Sequence, residues 1–159
     1  MLMRLLFVCL GNICRSPAAE TIMRHFIERE SLDHLHQVDS AGTAGYHIGS
    51  LPDPRSRKAL TDAGYQGWSR CRQVSPEDFH SFDYVFPMDQ QNLRALRQVC
   101  PEPELFAKVK LICEFASTHR EKEVPDPYYG SEEDFAFMVR LLEDCCQGIS
   151  RSLLNPSKG

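Results

Sequence analysis

The residues best suited to chemistry lie near the start, where Cys9-Leu10-Gly11-Asn12-Ile13-Cys14-Arg15 sets five residues between a cysteine and an arginine, and Ser16-Pro17 follows. A short loop feeding a helix start turns successive backbone N–H groups inward, and the helix dipole adds partial positive charge at the same point. An oxyanion fits such a cradle. The planar fork of Arg15 matches two phosphate oxygens as a lysine would not, and the same positive field favours Cys9 as the thiolate. The chemistry implied is attack of that thiolate on a phosphorus held by Arg15 and the N–H groups of Leu10, Gly11, Asn12, Ile13 and Cys14. Spacing alone decides nothing, because Cys145 and Arg151 repeat it and the pattern arises by chance. That second pair falls on and after an amphipathic segment and cannot form a loop. A leaving phenolate or alkoxide also needs a proton from a carboxylic acid. Asp126, in Val124-Pro125-Asp126-Pro127-Tyr128-Tyr129-Gly130, is the candidate. Its prolines stiffen the loop and its tyrosines supply aromatic walls, although Asp-Pro is also an ordinary turn.

The elements that would position these groups follow from the apolar pattern. Arg4 to Cys9 is a near-continuous apolar run of the kind buried on both faces of a parallel sheet. Ser16 and Pro17 read as N-cap and first residue of a helix whose apolar face is Ala18, Ala19, Ile22, Met23, Phe26 and Ile27. Further strands are expected over His36 to Ala41, Tyr84 to Phe86 and Val109 to Cys113. Helices are expected from Asp53-Pro54 to Gly64, from Asp89 to about Val99, and from Ser131 to about Gln147. Strands alternating with helices predict a small doubly wound α/β domain over 1–159, with a four-stranded parallel sheet flanked by helices on both faces. Ligands in such a sheet sit beyond the carboxyl ends of the strands, which is where Cys9 falls.

Composition narrows the function class. A net charge of −4 leaves no basic field for nucleic acid or an anionic membrane, so an anion must be held by a local site. The apolar run from Leu5 to Leu10 is too short for a membrane span or a signal segment. Seven cysteines, an odd number without regular spacing, argue against a disulfide scaffold and for a reducing cytoplasm. Six histidines show no HExxH pattern and no pair of CxxC units occurs, so no metal is expected. Arg70 and Arg72 read as solvated charges or ion-pair partners.

With these residues in view, nearly the whole chain resembles the low-molecular-weight protein tyrosine phosphatases. The resemblance runs through Cys9 to Pro17, Asp39-Ser40-Ala41-Gly42, Arg72-Gln73, Met88-Asp89 and Asp126-Pro127-Tyr128-Tyr129. It implies Cys9 as nucleophile, Arg15 as phosphate ligand, and Asp126 as first acid and then base. It further implies that Ser16 hydrogen-bonds the thiolate, that Asn12 and Ser40 brace the loop, and that Ile13, Tyr46, Tyr128 and Tyr129 line the pocket mouth. A reversible Cys9–Cys14 disulfide is implied in the same way. The expected enzyme is a monomer or weak dimer that needs no cofactor, acts on phosphotyrosine proteins or small aryl phosphates and releases inorganic phosphate. Ser69 stands where the family often has a histidine, and Pro87 where a smaller residue is usual. Ile13 replaces the threonine common in arginine-phosphatase relatives, which favours phosphotyrosine. Two rivals keep the same loop. One is a thioredoxin-coupled arsenate reductase, for which Cys71 and Cys100 are poorly spaced as relay cysteines. The other is a phosphate-binding module without turnover.

Overall fold

In the computed structural model, which describes residues 2–32 and 36–154, the apolar run becomes strand β1, Met3–Cys9, with β2, His36–Gly42, and β3, Tyr84–Pro87, on its two sides. Residues 1, 33–35 and 155–159 of the expected unit lie outside the described residues. Both pairings are parallel. Met3 to Cys9 face His36 to Gly42 in register, and Leu5 to Val8 face Tyr84 to Pro87. Because β1 is central, its side chains must find apolar partners on both faces. Leu5, Phe7 and Cys9 join one cluster with Ile22 and Met23 of α1, Arg15–Arg29, and with Phe135, Met138 and Leu142 of α5, Glu132–Ile149. Leu6 and Val8 join a second cluster with Phe79 of the short α3, Asp78–Ser81, and Leu96 of α4, Gln90–Val99. The chain therefore departs to opposite sides of β1, and the carboxyl end of this strand is the switch point where an open α/β sheet leaves a crevice.

The expected fourth strand does not form. Val109 makes one parallel bridge to Val85, with Lys110 N–H donating to the Val85 carbonyl at 3.0 Å. The chain then bends at Leu111 into a 3-10 turn, Ile112–Phe115, which buries Ile112 and Cys113 in the first core cluster. Docking those two side chains outweighs extending a ladder along the edge. The sheet of named strands is three-stranded and parallel, wrapped by helices on both faces.

Caps follow local chemistry more closely. Asp53 accepts from Arg55 N–H ahead of Pro54 at the start of α2, Pro54–Asp62, as an aspartate before proline should. Asp89 likewise accepts from Asn92 N–H to start α4. The first helix corrects the expectation at Ser16. It begins at Arg15, Cys14 occupies the cap position, and no side chain caps it, so Ser16 falls past the cap and inside the first turn.

Gly148 lies inside α5, where a glycine normally weakens a helix by about 1 kcal/mol relative to alanine. A Cβ there would collide with the carbonyl oxygen of Phe115, a backbone atom of the turn that buries Ile112 and Cys113. Gly148→Ala should therefore destabilise the protein by about 2 kcal/mol net, since overpacking outweighs the gain in helix propensity. Thermal unfolding should show a midpoint lower by roughly 4–8 °C; an unchanged or raised midpoint would show that the turn relaxes freely.

Candidate active site

Residues 10–14 connect β1 directly to α1, and their carbonyl oxygens are taken up by the surrounding scaffold. Ala44 N–H donates to the Leu10 carbonyl at 2.9 Å and Asp53 N–H to that of Ile13 at 2.8 Å. The Cys71 thiol donates to the Asn12 carbonyl at 2.8 Å and the Ser56 hydroxyl to that of Cys14 at 3.2 Å. A trans peptide sets its N–H opposite its C=O. Carbonyls bound outward at Leu10, Asn12, Ile13 and Cys14 therefore turn the N–H groups of Gly11, Ile13, Cys14 and Arg15 to the other side, where the cavity lies. Gly42, at the end of β2, lets the loop come close, since a Cβ there would lie 2.7 Å from the Leu10 carbonyl and 3.0 Å from Asn12 N.

The loop closes through Asn12, whose φ of 58° places it in the left-handed region, where non-glycine residues are strained and asparagine is the best tolerated. Its side chain stabilises that conformation. The amide donates to Ser16 Oγ at 2.8 Å and to Ser40 Oγ at 3.0 Å, and its oxygen accepts from Arg72 N–H at 2.9 Å. Behind it, Ser40 donates to Glu20 Oε1 at 2.6 Å, and Ser69 donates to Glu20 Oε2 at 2.6 Å. Glu20 is 1% exposed and pairs with Arg24. A serine thus reaches the buried carboxylate where the resembling family often places a histidine, and Arg24 supplies the positive charge. Ser16 Oγ, which accepts from the Asn12 amide, lies 3.0 Å from Cys9 Sγ, close enough to donate to that sulfur as a thiolate, and 3.4 Å from the Ala41 carbonyl.

Arg15 is 3% exposed. One of its nitrogens, Nη1, donates to Asp89 Oδ2 at 2.7 Å and to the Val124 carbonyl at 2.9 Å, and Nη2 lies 3.6 Å from Asp126 Oδ2. Burial disfavours the guanidinium charge, but Cys9, Asp89 and Asp126 outweigh it and hold the group above its usual range. Asp126 is 45% exposed and its Oδ1 accepts from Tyr128 N–H at 3.2 Å. These groups share one cavity of about 360 Å³, lined by Cys9, Leu10, Gly11, Ile13, Cys14, Arg15, Tyr46, His47, Asp126, Tyr128 and Tyr129. Burial pushes the Cys14 thiol well up, with Asp53 and Cys9 adding to the effect. Among the described residues, no three His, Cys, Asp or Glu side chains gather as a metal-holding group.

The family model described as low molecular weight phosphotyrosine protein phosphatase matches residues 4–157. The chain belongs to that family. This phosphatase is 42% identical to the low molecular weight phosphotyrosine protein phosphatase of Schizosaccharomyces pombe over 151 residues, 94% of this chain and 96% of the relative. A crystal structure of protein tyrosine phosphatase from Entamoeba histolytica, with Hepes in its active site, superposes with a TM-score of 0.93 at 44% identity, covering 98% and 99% of the two chains. The Drosophila arginine phosphatase DARP superposes with a TM-score of 0.87 at 30% identity, covering 94% and 97%.

Of the residues singled out from the sequence, those lining the cavity of this phosphatase are Cys9, Leu10, Gly11, Ile13, Cys14, Arg15, Tyr46, Asp126, Tyr128 and Tyr129. Asn12, Ser16 and Ser40, hydrogen-bonded to one another, stand behind the loop and do not line the cavity. Sequence reasoning missed His47 in the cavity wall, Asp89 as partner of Arg15, and Glu20. A carboxylate four residues after Ser16, on the otherwise apolar face of α1 and four before Arg24, was the available signal for Glu20. Arg72 is an ion-pair partner as expected, bound to Asp39 at 3.0 Å and Asp78 at 3.0 Å.

Proposed function

We propose that the enzyme hydrolyses phosphotyrosine and small aryl phosphates in two steps through a phosphocysteine. The thiolate of Cys9 attacks phosphorus; an S–P bond forms, the P–O bond to the phenol breaks, and Asp126 gives its proton to the departing oxygen. Water then attacks phosphorus, Asp126 takes a proton from it, the S–P bond breaks, and inorganic phosphate leaves with the thiolate restored. Arg15 and the loop N–H groups neutralise the equatorial oxygens, and such positioning and electrostatic stabilisation carry most of the acceleration in phosphoryl transfer. The observation that carries this reading is the meeting of Cys9, Arg15 and Asp126 in one cavity, although Asp126 comes from a distant loop.

Tyr46, Tyr128 and Tyr129 offer faces for an aromatic ring. The similarity to an arginine phosphatase means that the fold leaves the choice of substrate to such side chains, and Ile13 in the wall supports an aryl ring. A disulfide relay finds little support. Cys71 is bonded to the loop, whereas Cys100 packs with the second core cluster. The enzyme is read as a cytoplasmic monomer or weak dimer, and no described helix is long and apolar enough to cross a membrane.

The test is leaving-group dependence. For Asp126→Ala, kcat/KM should fall about 10²- to 10⁴-fold for phenyl phosphate, the usual range for a general acid. The loss should be far smaller for p-nitrophenyl phosphate, whose phenolate leaves without help. Equal loss on both substrates would remove Asp126 from the acid role.

A further inference from the structure

The acid-bearing segment from Pro125 to Gly130 is exposed apart from Pro127. Beyond the Arg15–Asp126 ion pair, the hydrogen bond that ties it to the rest of the molecule, among the described residues, comes from Arg55. Arg55 Nη1 donates to the Tyr128 carbonyl at 2.8 Å. The guanidinium also lies over the Tyr128 ring at 5.1 Å and the Phe135 ring at 4.8 Å. Its other edge is held by Asp53, with Nε 3.1 Å from Oδ1 and Nη2 2.8 Å from Oδ2. That two-point contact sets the plane of the fork. Asp53 in turn donates its N–H to the Ile13 carbonyl at 2.8 Å. One turn at the start of α2 therefore grips the phosphate loop through Asp53 and the acid loop through Arg55.

Resting on the function proposed above, we infer that Arg55 is a positioning residue for Asp126, fixing the acid loop over the phosphate loop through the Tyr128 carbonyl. Arg55 does not reach the substrate; it acts through the backbone two residues after the acid. Release of this strap leaves Asp126 free to move away from the leaving oxygen, and a displacement of about 1 Å at a reacting group costs on the order of 10²-fold in rate.

The experiment compares parent, Arg55→Ala, Arg55→Lys, Asp126→Ala and the Arg55→Ala/Asp126→Ala double variant, measuring kcat/KM on phenyl phosphate and p-nitrophenyl phosphate together with thermal midpoints. Arg55→Ala should lower kcat/KM on phenyl phosphate by about 10- to 100-fold and on p-nitrophenyl phosphate by less than about threefold. Arg55→Lys, which keeps a donor for Tyr128 but loses the fork to Asp53, should fall between. In the Asp126→Ala background, removal of Arg55 should add little, since residues acting as one unit are not additive. A role in stability alone predicts the opposite: equal slowing of both substrates and additive losses in the double variant. Either result would overturn the inference while leaving the acid role of Asp126 intact. Absence of leaving-group dependence in Asp126→Ala itself would bring down both readings together.

Discussion

Cys9→Ser is expected to lose turnover by at least about four orders of magnitude while the protein stays folded, the scale seen when a covalent nucleophile is removed. Cys9 is 3% exposed at the end of β1, and serine differs by one atom, so the packing around Phe7 and Ile22 should persist. The reaction should not. A serine hydroxyl is a weak nucleophile unless a base takes its proton, and the neighbour within hydrogen-bond reach of this position is the Ser16 hydroxyl, which is no base. The same neighbour suits a thiolate, to which it can donate. Inorganic phosphate should still raise the thermal midpoint of the variant, because Arg15 and the loop N–H groups remain. Residual turnover above a few per cent of the parent, or loss of phosphate stabilisation with the fold intact, would contradict the proposed roles of Cys9 and of the loop.

Arg15→Lys should lower kcat/KM by about 10²- to 10³-fold, in line with removal of a group that stabilises transition-state charge. Here the positive charge is retained, so the experiment isolates geometry. The guanidinium spends Nη1 on Asp89 and the Val124 carbonyl while Nη2 lies toward Asp126 and the cavity. A lysine ammonium is a compact point donor that cannot hold those anchors and also present a planar fork to phosphate. Arg15→Ala should add a stability loss of about 3 kcal/mol, since it leaves Asp89 and a buried carbonyl without their partner. A lysine variant with near-parental kcat/KM would show that charge alone suffices and would undercut the bidentate role. Reading both variants by phosphate-induced stabilisation separates lost binding from lost chemistry.

The two substitutions probe different parts of one arrangement. Cys9 sits where the sequence pattern was strongest, between a buried strand and the first helix, and its hydrogen-bond partner Ser16 is the second residue of that helix. Arg15 was legible as a candidate phosphate ligand from the same loop, but the groups that orient it come from β3–α4 and from the acid loop, far away in sequence. A side chain's type and loop position can be read locally. Its partners cannot, because they are whatever the packing of distant elements brings within reach.

The same distinction explains the errors at the elements. Ser16 has a suitable residue type for an N-cap, yet the helix starts one residue before it, uncapped, and its hydroxyl meets Asn12 and Cys9 instead. Val109 to Cys113 is apolar enough for a strand, yet the space beside α5 accepts Ile112 and Cys113 in a 3-10 turn. By itself the sequence determined the strand–loop–helix that holds Cys9 and Arg15, the caps at Asp53 and Asp89, the amphipathic faces of α1 and α5, and the proline-flanked loop around Asp126. Each of these rests on backbone preferences and apolar periods that act over a few residues. Tertiary structure alone decided that Asp126 reaches Arg15, that Glu20 is buried under Ser40 and Ser69, and that Arg55 straps the acid loop, because each is an ion pair or hydrogen bond that forms only when separate segments meet around the carboxyl end of β1.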